Sequence, residues 1–256
     1  MDGEKINLPE VDVHTMFHVK HLLTVDAKES VEFPFKEIFV VAGGREPKAG
    51  WLKTVAKDRL LYCADRGVNC CLQVGCVPQV LYGDCDSTSQ LVYDEAQKKG
   101  TEIYRFNPAK DDTDLQLLLK NLPAGDIITS GIWGGRFDHL YSNVYTLLGF
   151  KEKRKCQIIL ADEKEFMLLM SAGEKAELKL KKEPEAISLL PLTEITCVDF
   201  KGVRWELTKA ELKQLYPYAI SNEPVANDGS ITCLCYQGAV GLYIRWQDDS
   251  KIINAD

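Results

Sequence analysis

A regular alternation of short apolar runs and amphipathic segments between residues 37 and 160 is the feature that most constrains the fold of this chain. The apolar runs are rich in β-branched residues, as expected for strands that are buried on both faces of a sheet. Because parallel strands need helical crossovers, the alternation predicts a doubly wound, mostly parallel α/β sheet. The predicted strands are 37–42, 60–64, 79–82, 102–106, 126–130 and 157–160, and the predicted helices lie near 51–56, 69–74, 91–99, 115–122 and 140–148.

The pattern changes after about residue 162, where short runs of alternating polar and apolar residues take over. Such runs are typical of an all-β module, either a small sandwich or a barrel. One stretch, 208–215, is predicted to be helical because Leu212 and Leu215 would share one side. The sequence therefore predicts an N-terminal extension over 1–35 that forms a strand or hairpin, an α/β domain over 36–163 and an all-β domain, a sandwich or a barrel, over 164–256.

The composition excludes several classes of protein. The chain has 38 acidic and 31 basic residues, a formal net charge of −7, whereas nonspecific nucleic-acid binders usually carry a basic surplus. No stretch approaches the roughly 18 consecutive apolar residues that a membrane helix requires. The N-terminus lacks the basic start and apolar run of a signal peptide. We therefore expect neither a nucleic-acid partner nor a membrane.

The nine cysteines are an odd number and include no Cys-x-x-Cys pair, which argues against a disulfide framework and a zinc site. They are interpreted as reduced core residues in a cytoplasmic protein; Cys233 and Cys235 would face inward from one strand.

Three histidines, His14, His18 and His21, lie close together near the N-terminus, and a helix would place them on one face as candidate metal ligands. A strand would place His21 on the face opposite His14 and His18. A strand or hairpin with ordinary histidines is the preferred interpretation.

Acidic side chains follow the predicted strands at their carboxyl ends, where doubly wound sheets bind ligands. Carboxylates gathered at one edge repel one another unless a cation neutralises them, and Mg²⁺, which prefers oxygen ligands, commonly arrives with substrate phosphates. Asp112 is the exception, because its place before a helix favours a capping role. The other acidic residues at these ends are Asp65, Asp84, Asp86, Asp111 and Asp114.

Glycine pairs and one arginine complete this predicted edge. Gly43-Gly44 and Gly134-Gly135 would allow a phosphate to approach the backbone closely, and Arg136 offers a planar fork for phosphate oxygens. Neither a Walker motif nor Gly-x-Gly-x-x-Gly is present, so a Rossmann reductase is not supported. Taken together, these residues indicate metal-assisted phosphoryl chemistry.

Five short blocks follow one another along the chain: ADRGVN at 64–69, GDCDS at 83–87, KDDTD at 110–114, GGRFDH at 134–139 and ISNE at 220–223. In their order and spacing, these blocks resemble the thiamin pyrophosphokinase family. The resemblance covers roughly residues 37–246 and implies an α/β catalytic domain followed by a β-sandwich that helps to bind thiamin. It also implies transfer of the pyrophosphoryl group of ATP to the thiamin hydroxyl, with Mg²⁺ and release of AMP, by a homodimer.

The resemblance implies a role for individual positions. Asp84, Asp86 and Asp111 would hold Mg²⁺, and together with Arg136 and Asp138 they form the expected catalytic set. Asp86 or Asp138 would accept the proton of the thiamin hydroxyl. Thiamin itself would contact Ser221 and Asn222. The expected ATP-binding residues are Gly43, Gly44, Asp65, Asp114, Gly135, Arg136 and His139.

The chain departs from the family pattern at two places. Arg66 stands where the family usually has glycine, so it must be tolerated there or add a cation near the phosphates. No aromatic residue follows Ser221-Asn222, which leaves Trp205, Tyr218 or Trp246 as the ring that stacks on thiamin. These departures keep two alternatives open: a pyrophosphokinase for another hydroxymethyl heterocycle such as a pterin, and a nucleotide- or thiamin-binding module without turnover.

Overall fold

The computed structural model describes residues 15–18, 37–83, 89–106, 111–180, 183–225 and 230–246, with only the backbone for the first of these ranges. The described residues form two compact units. The unit that we call the α/β unit falls within 24–169 and 244–256, and the β unit falls within 1–23 and 170–243. Within the described part of the chain, no helix is long and apolar enough to cross a membrane.

The α/β unit is built on a mostly parallel sheet. Neighbouring strands follow the order β5-β4-β3-β2-β6-β7-β8, and every pair is parallel except β7 with β8. The strands β2, β6 and β7 are buried along their whole length, as predicted from their apolar composition. The strands are β2 Ile38–Val41, β3 Leu60–Ala64, β4 Val80–Gly83, β5 Glu102–Arg105, β6 Ile127–Ser130, β7 Ile158–Ala161 and β8 Glu165–Ser171.

Helices connect the parallel strands, which confirms the predicted α/β class. The last of them extends beyond the predicted 140–148 at both ends. The prediction is too short because the residues at the two ends of the helix carry no apolar periodicity. It begins immediately after Arg136 and ends before Lys155, which adopts a left-handed conformation with φ of 53°. The helices are α1 Ala49–Ala56, α2 Gly67–Gln73, α3 Gln90–Lys98, α4 Asp114–Lys120 and α5 Phe137–Arg154.

The β unit is an antiparallel β-sandwich, as predicted. One sheet has the strand order β1-β9-β13-β11-β12, in which only the outer pair β1 and β9 is parallel; β10 pairs with β14. The strands are β1 Thr15–His18, β9 Glu174–Lys179, β10 Pro184–Pro191, β11 Ile195–Lys201, β12 Leu207–Lys213, β13 Ser230–Gln237 and β14 Ala239–Trp246.

The helix predicted over 208–215 is wrong, because this segment contains strand β12, which pairs antiparallel with β11. Leu212 is 1% exposed and lies opposite Thr196 in the ladder, whereas Leu215 lies beyond the strand and is 94% exposed. The two leucines therefore do not share a buried face. A pair of apolar residues three apart is too short a pattern to distinguish helix from strand, and tertiary pairing decides.

The described cysteines are all free thiols, and both Cys233 and Cys235 are fully buried, in agreement with their interpretation as core residues. Cys85 lies outside the described residues. The N-terminal extension contributes strand β1, which ends at His18. His14 and His21 lie outside the described residues, so the alternative of a metal site there stays a prediction.

Candidate active site

The carboxyl ends of β2, β3 and β6 lie side by side in the sheet. Val41, the last residue of β2, is level with Cys63 of β3 on one side and with Ser130 of β6 on the other. The loops that follow these strands are therefore neighbours at one edge. They carry Gly43-Gly44, Asp65-Arg66 and the segment 131–136, so the parallel register brings together residues that are far apart in the sequence.

The loop after β2 is joined to the loop after β6 through the backbone. The amide of Gly44 donates to the carbonyl of Gly131 at 2.6 Å, and the amide of Arg45 donates to the carbonyl of Trp133 at 2.6 Å. A Cβ atom on Gly44 would lie 2.4 Å from the Gly131 oxygen and 2.8 Å from the Trp133 oxygen. Glycine is therefore required at position 44 for the two loops to meet.

Asp65 lies against the glycine pair. Its backbone is left-handed, with φ of 54°, a conformation that Asp tolerates better than most residues, and its amide donates to the carbonyl of Tyr82 at 2.8 Å. A Cβ atom on Gly43 would lie 2.8 Å from Oδ2 of Asp65. The missing side chain at Gly43 thus leaves room for this carboxylate, which places two of the predicted ATP-binding residues in contact.

Arg66, the departure from the family pattern, fits without strain. Its φ of −67° and ψ of −2° are ordinary for an L-residue at the start of α2. The position that must be glycine is the next one, Gly67, because a Cβ atom there would lie 2.2 Å from the carbonyl oxygen of Val41. The Arg66 side chain is exposed, and its Nε–H donates to the carbonyl oxygen of Gly43.

The segment 134–139 forms an exposed rim at the start of α5. Arg136 and Asp138 are 74% and 61% exposed and form a bidentate pair, with Nη2 to Oδ2 at 2.5 Å and Nε to Oδ1 at 3.1 Å. The amide of His139 donates to Oδ1 of Asp138 at 3.0 Å. The Arg136 hydrogen bonds, followed by the His139 amide, hold the pKa of Asp138 below its ordinary value. Gly135 has a φ of 67° and open space where a Cβ would lie.

The predicted acidic residues near α4 are arranged by a helix cap. Thr113, not Asp112, is the N-cap: its Oγ1 accepts from the amide of Gln116 at 3.2 Å, and the Gln116 side chain accepts from the Thr113 amide at 2.8 Å. Asp112 instead pairs with Lys120 at 2.6 Å, so its predicted capping role is wrong. Asp114 is the first residue of α4, and Asp111 is exposed just before the cap.

The described oxygen donors at this edge have the chemistry that a hard cation prefers, but they do not form a complete metal site by themselves. Asp84 and Asp86 lie outside the described residues, and no group of three His, Cys, Asp or Glu among the residues that are described could hold a metal. The buried atoms Oδ1 of Asn69 and Oγ of Ser130 have no hydrogen-bond partner in the described structure. Because the donors here are oxygen atoms, their chemistry suits Mg²⁺.

In the β unit, Asn222 is a buried structural residue. It is 6% exposed, and its backbone forms a bridge with Ile187, with N···O distances of 2.7 and 3.0 Å. Its side-chain amide is fully engaged with the backbone of Trp205, accepting from N at 3.1 Å and donating to O at 2.9 Å. The neighbouring Ser221 has a left-handed backbone with φ of 57°, and its amide donates to Oγ of Ser188 at 3.1 Å.

Trp205 is the aromatic residue whose backbone is bonded to Asn222. The residue is 54% exposed, and the guanidinium of Arg204 lies 5.0 Å from its ring centroid. Arg204 is itself paired with Glu223 at 2.9 Å. Tyr218 is 48% exposed and its hydroxyl donates to the carbonyl of Glu211 at 3.3 Å, whereas Trp246 falls in the α/β unit. Of the three candidate rings, Trp205 is the one linked directly to Asn222.

Sequence reasoning missed one residue that shapes this site. Arg45 directly follows the glycine pair, and its guanidinium binds Asp162 and Glu165 beyond β7. Its position after Gly43-Gly44 was a possible signal, but the partners are more than 110 residues away, and periodicity does not reveal such a pair.

Two family models match the chain in succession. The model of the thiamin pyrophosphokinase catalytic domain matches residues 51–160, and the model of the thiamin pyrophosphokinase vitamin B1 binding domain matches residues 175–235. The first match covers most of the described sheet and helices of the α/β unit. The second includes Trp205, Ser221 and Asn222.

Individual proteins are similar over most of the chain. Thiamine pyrophosphokinase of Bacillus subtilis (strain 168) is 28% identical over 205 residues, which are 77% of this chain and 94% of that protein. The crystal structure of thiamine pyrophosphokinase from Bacillus subtilis has a TM-score of 0.71 at 26% identity and covers 83% of this chain and 100% of that one. Yeast thiamin pyrophosphokinase has a TM-score of 0.72 at 16% identity, with 94% of each chain covered, and this likeness concerns the fold alone.

Proposed function

This chain belongs to the thiamin pyrophosphokinase family, and we propose that it transfers the pyrophosphoryl group of ATP to the hydroxyl of thiamin, giving thiamin diphosphate and AMP. The observation that carries this conclusion is the succession of the two matches, one over the catalytic and one over the vitamin B1 binding domain. We assign ATP to the predicted domain 36–163 and thiamin to the predicted domain 164–256.

The glycine-lined edge supports phosphate binding in the α/β unit. The amides of Gly44 and Arg45 hold the loops after β2 and β6 together, and Gly135, with open space where a Cβ would lie, leaves room beside them for a bulky anion. Arg136 is exposed next to this edge; its Nε and Nη2 donate to Asp138, and we assign Nη1 to a phosphate oxygen. The residues proposed to bind ATP are Gly43, Gly44, Asp65, Asp114, Gly135, Arg136 and His139.

We propose that Asp84, Asp86 and Asp111 hold Mg²⁺. When bound, the ion would neutralise phosphate charge that the acidic edge otherwise repels. The support for this assignment is the oxygen-rich donor set of the edge and the place of these residues after β4 and before α4.

The transfer step needs an attacking oxygen, a leaving group and a proton acceptor. The thiamin hydroxyl oxygen forms a bond to the β-phosphorus of ATP, the bond from that phosphorus to the oxygen bridging it to the α-phosphate breaks, and AMP leaves with the electron pair. We assign to Arg136 the stabilisation of the charge that develops on the phosphates. We propose that a carboxylate, that of Asp86 or of Asp138, accepts the hydroxyl proton.

Thiamin is a cation with two aromatic rings, and the β unit offers a matching surface. We assign stacking on thiamin to Trp205, because its ring is exposed and its backbone is fixed by Asn222. In this assignment Asn222 acts by presenting Trp205, and Ser221 contributes its hydroxyl. The acidic edge of the α/β unit would attract the same cation electrostatically.

We also propose a homodimer that works in the cytoplasm. Phe137 and Tyr141 lie one turn apart on α5 and are 76% and 56% exposed, which is the kind of apolar surface that a subunit interface covers. The free thiols of the described cysteines suit a reducing compartment.

An assay of AMP release tests the proposed function. The purified protein is incubated with ATP and Mg²⁺ and with thiamin, with 6-hydroxymethylpterin or with no acceptor. We expect AMP only with thiamin. Release of AMP with the pterin but not with thiamin would show that the acceptor is a different heterocycle. Binding of both ATP and thiamin without any release of AMP would identify a binding module without turnover.

A further inference from the structure

Arg66 lies between two residues to which ATP binding is assigned. Its Nε–H donates to the carbonyl oxygen of Gly43, and a Cβ atom on Gly43 would lie 3.0 Å from Cγ of Arg66 and 2.8 Å from Oδ2 of Asp65. The guanidinium therefore lies against the loop after β2, at Gly43. This placement puts a fixed positive charge at the edge of the sheet where the strands β2 and β3 end.

The fold itself does not require an arginine here. The backbone of Arg66 is in an ordinary helical conformation, and the close approach to β2 is made by Gly67. The side chain is exposed and buries little apolar area, so the hydrophobic core gains little from it. Its interaction with the loop is a single hydrogen bond to a carbonyl that water could also satisfy.

The remaining guanidinium donors of Arg66 have no acceptor among the described residues. Gly43 provides the only hydrogen-bond acceptor for Arg66 among the residues that the structure describes, and Nε is the atom that uses it. The two terminal nitrogens, which carry the other N–H groups, have no acceptor there. A guanidinium that is anchored at Nε and open at its terminal nitrogens suits a tetrahedral anion, because it binds two oxygens at once and loses little rotational freedom.

We propose that Arg66 binds the polyphosphate of ATP through its terminal nitrogens. This inference rests on the proposed function for the identity of the nucleotide, but the recognised group is the phosphate chain itself. The bond from Nε to Gly43 holds the guanidinium next to the glycine loop, so that loop and side chain bind the same anion. Arg66 then supplies a cation where the family pattern has only a glycine backbone.

The test measures binding without turnover. Isothermal titration with a nonhydrolysable ATP analogue and, separately, with inorganic tripolyphosphate is carried out in Mg²⁺ for the full chain and for Arg66→Gly and Arg66→Lys. We expect Arg66→Gly to weaken both ligands about 10-fold or more, as for loss of a charge-assisted hydrogen bond, and Arg66→Lys to lie between. Adenosine, measured by competition with the analogue, should bind equally to all three.

Arg59→Ala is the matched control. Arg59 directly precedes β3, whereas Arg66 follows its carboxyl end, so the control removes the same charge at the opposite edge of the sheet. We expect it to leave tripolyphosphate binding unchanged. Thermal unfolding of each variant establishes that it is folded under the titration conditions.

The outcomes separate this inference from the proposed function. Unchanged tripolyphosphate binding by folded Arg66→Gly would overturn it, and so would an equal weakening of adenosine and tripolyphosphate, which would mean that Arg66 only holds the loop. A wild-type chain that binds tripolyphosphate through Arg66 but releases no AMP with thiamin would refute the proposed function and leave the role of Arg66 standing.

Discussion

The guanidinium of Arg45 binds the carboxylate of Asp162 through two hydrogen bonds to Oδ2, from Nε at 3.0 Å and from Nη2 at 2.6 Å. The Asp162 side chain is completely buried, and its other oxygen accepts the amides of Lys164 and Glu165 at 2.8 and 2.9 Å. Arg45 also binds Oε1 of Glu165 at 3.1 Å. The pair therefore joins the loop after β2, which carries Gly43-Gly44, to the turn after β7.

Arg45→Met should therefore destabilise the chain. It leaves the buried carboxylate of Asp162 without its cation, and we expect the free energy of unfolding to fall by about 2–3 kcal/mol, as found for buried pairs that lose one partner. Arg204→Met is the control, because the Arg204–Glu223 pair is 60% and 56% exposed. That change should cost less than about 1 kcal/mol. Urea unfolding of both variants provides the comparison, and equal losses would contradict the role given to Arg45.

Gly44→Ala should abolish the contact between the loops after β2 and β6. The new methyl group would lie 2.4 Å from the Gly131 oxygen, which is backbone and cannot move aside cheaply. We expect lower stability and loss of ATP binding, measured by thermal unfolding and by titration with a nonhydrolysable analogue. Gly50→Ala, in α1 with open space around its Cβ, should leave both properties intact. Normal nucleotide binding by Gly44→Ala would show that the edge is not the phosphate site.

The capping box of α4 gives a prediction that separates Thr113 from Asp112. Thr113→Ala removes the acceptor for the Gln116 amide and should cost about 1 kcal/mol of stability, whereas Thr113→Ser should retain most of it. Asp112→Ala breaks only an exposed pair with Lys120 and should change the free energy of unfolding by less than about 0.5 kcal/mol. Chemical unfolding of the three variants measures this order, and a larger effect for Asp112 would restore it as the cap.

The Arg136–Asp138 pair predicts a pH dependence. Since the pKa of Asp138 is lowered, its pairing is complete above the ordinary carboxylate pKa and is lost as the pH falls through the lowered value. Arg136→Ala removes the main cause, so the pKa of Asp138 should rise toward its ordinary range. Carboxyl-detected NMR titration of wild type and variant measures both values. Because both side chains are exposed, thermal stability at neutral pH should hardly change.

Much of the α/β unit could be predicted because its strands are short and its central strands β2, β6 and β7 are apolar and fully buried. Strand β3 occupies the predicted residues 60–64, and the predicted rim positions Gly43, Gly44 and Asp65 do meet at one edge. This success has a physical cause: a parallel sheet aligns the carboxyl ends of its strands, so residues that follow successive strands become neighbours.

What the sequence could not predict depends on contacts between distant residues. The nature of β12 is decided by its ladder with β11, and the Arg45–Asp162 bond joins residues separated by 117 positions. Asp112 and Thr113 both precede α4, and both residue types are good N-caps. Only the hydrogen bonds with Gln116 identify Thr113 as the cap. The engagement of Asn222 with Trp205 is likewise invisible to periodicity.

The central claim is the transfer of an intact pyrophosphoryl group from ATP to thiamin, and the fate of labelled phosphate tests it most directly. ATP labelled at the β-phosphorus is incubated with the chain, Mg²⁺ and thiamin, and the products are separated. The account predicts that the label appears in thiamin diphosphate, together with an equal amount of unlabelled AMP. Label that remains in ADP while thiamin gains a single phosphate, or label that never leaves ATP, would contradict it.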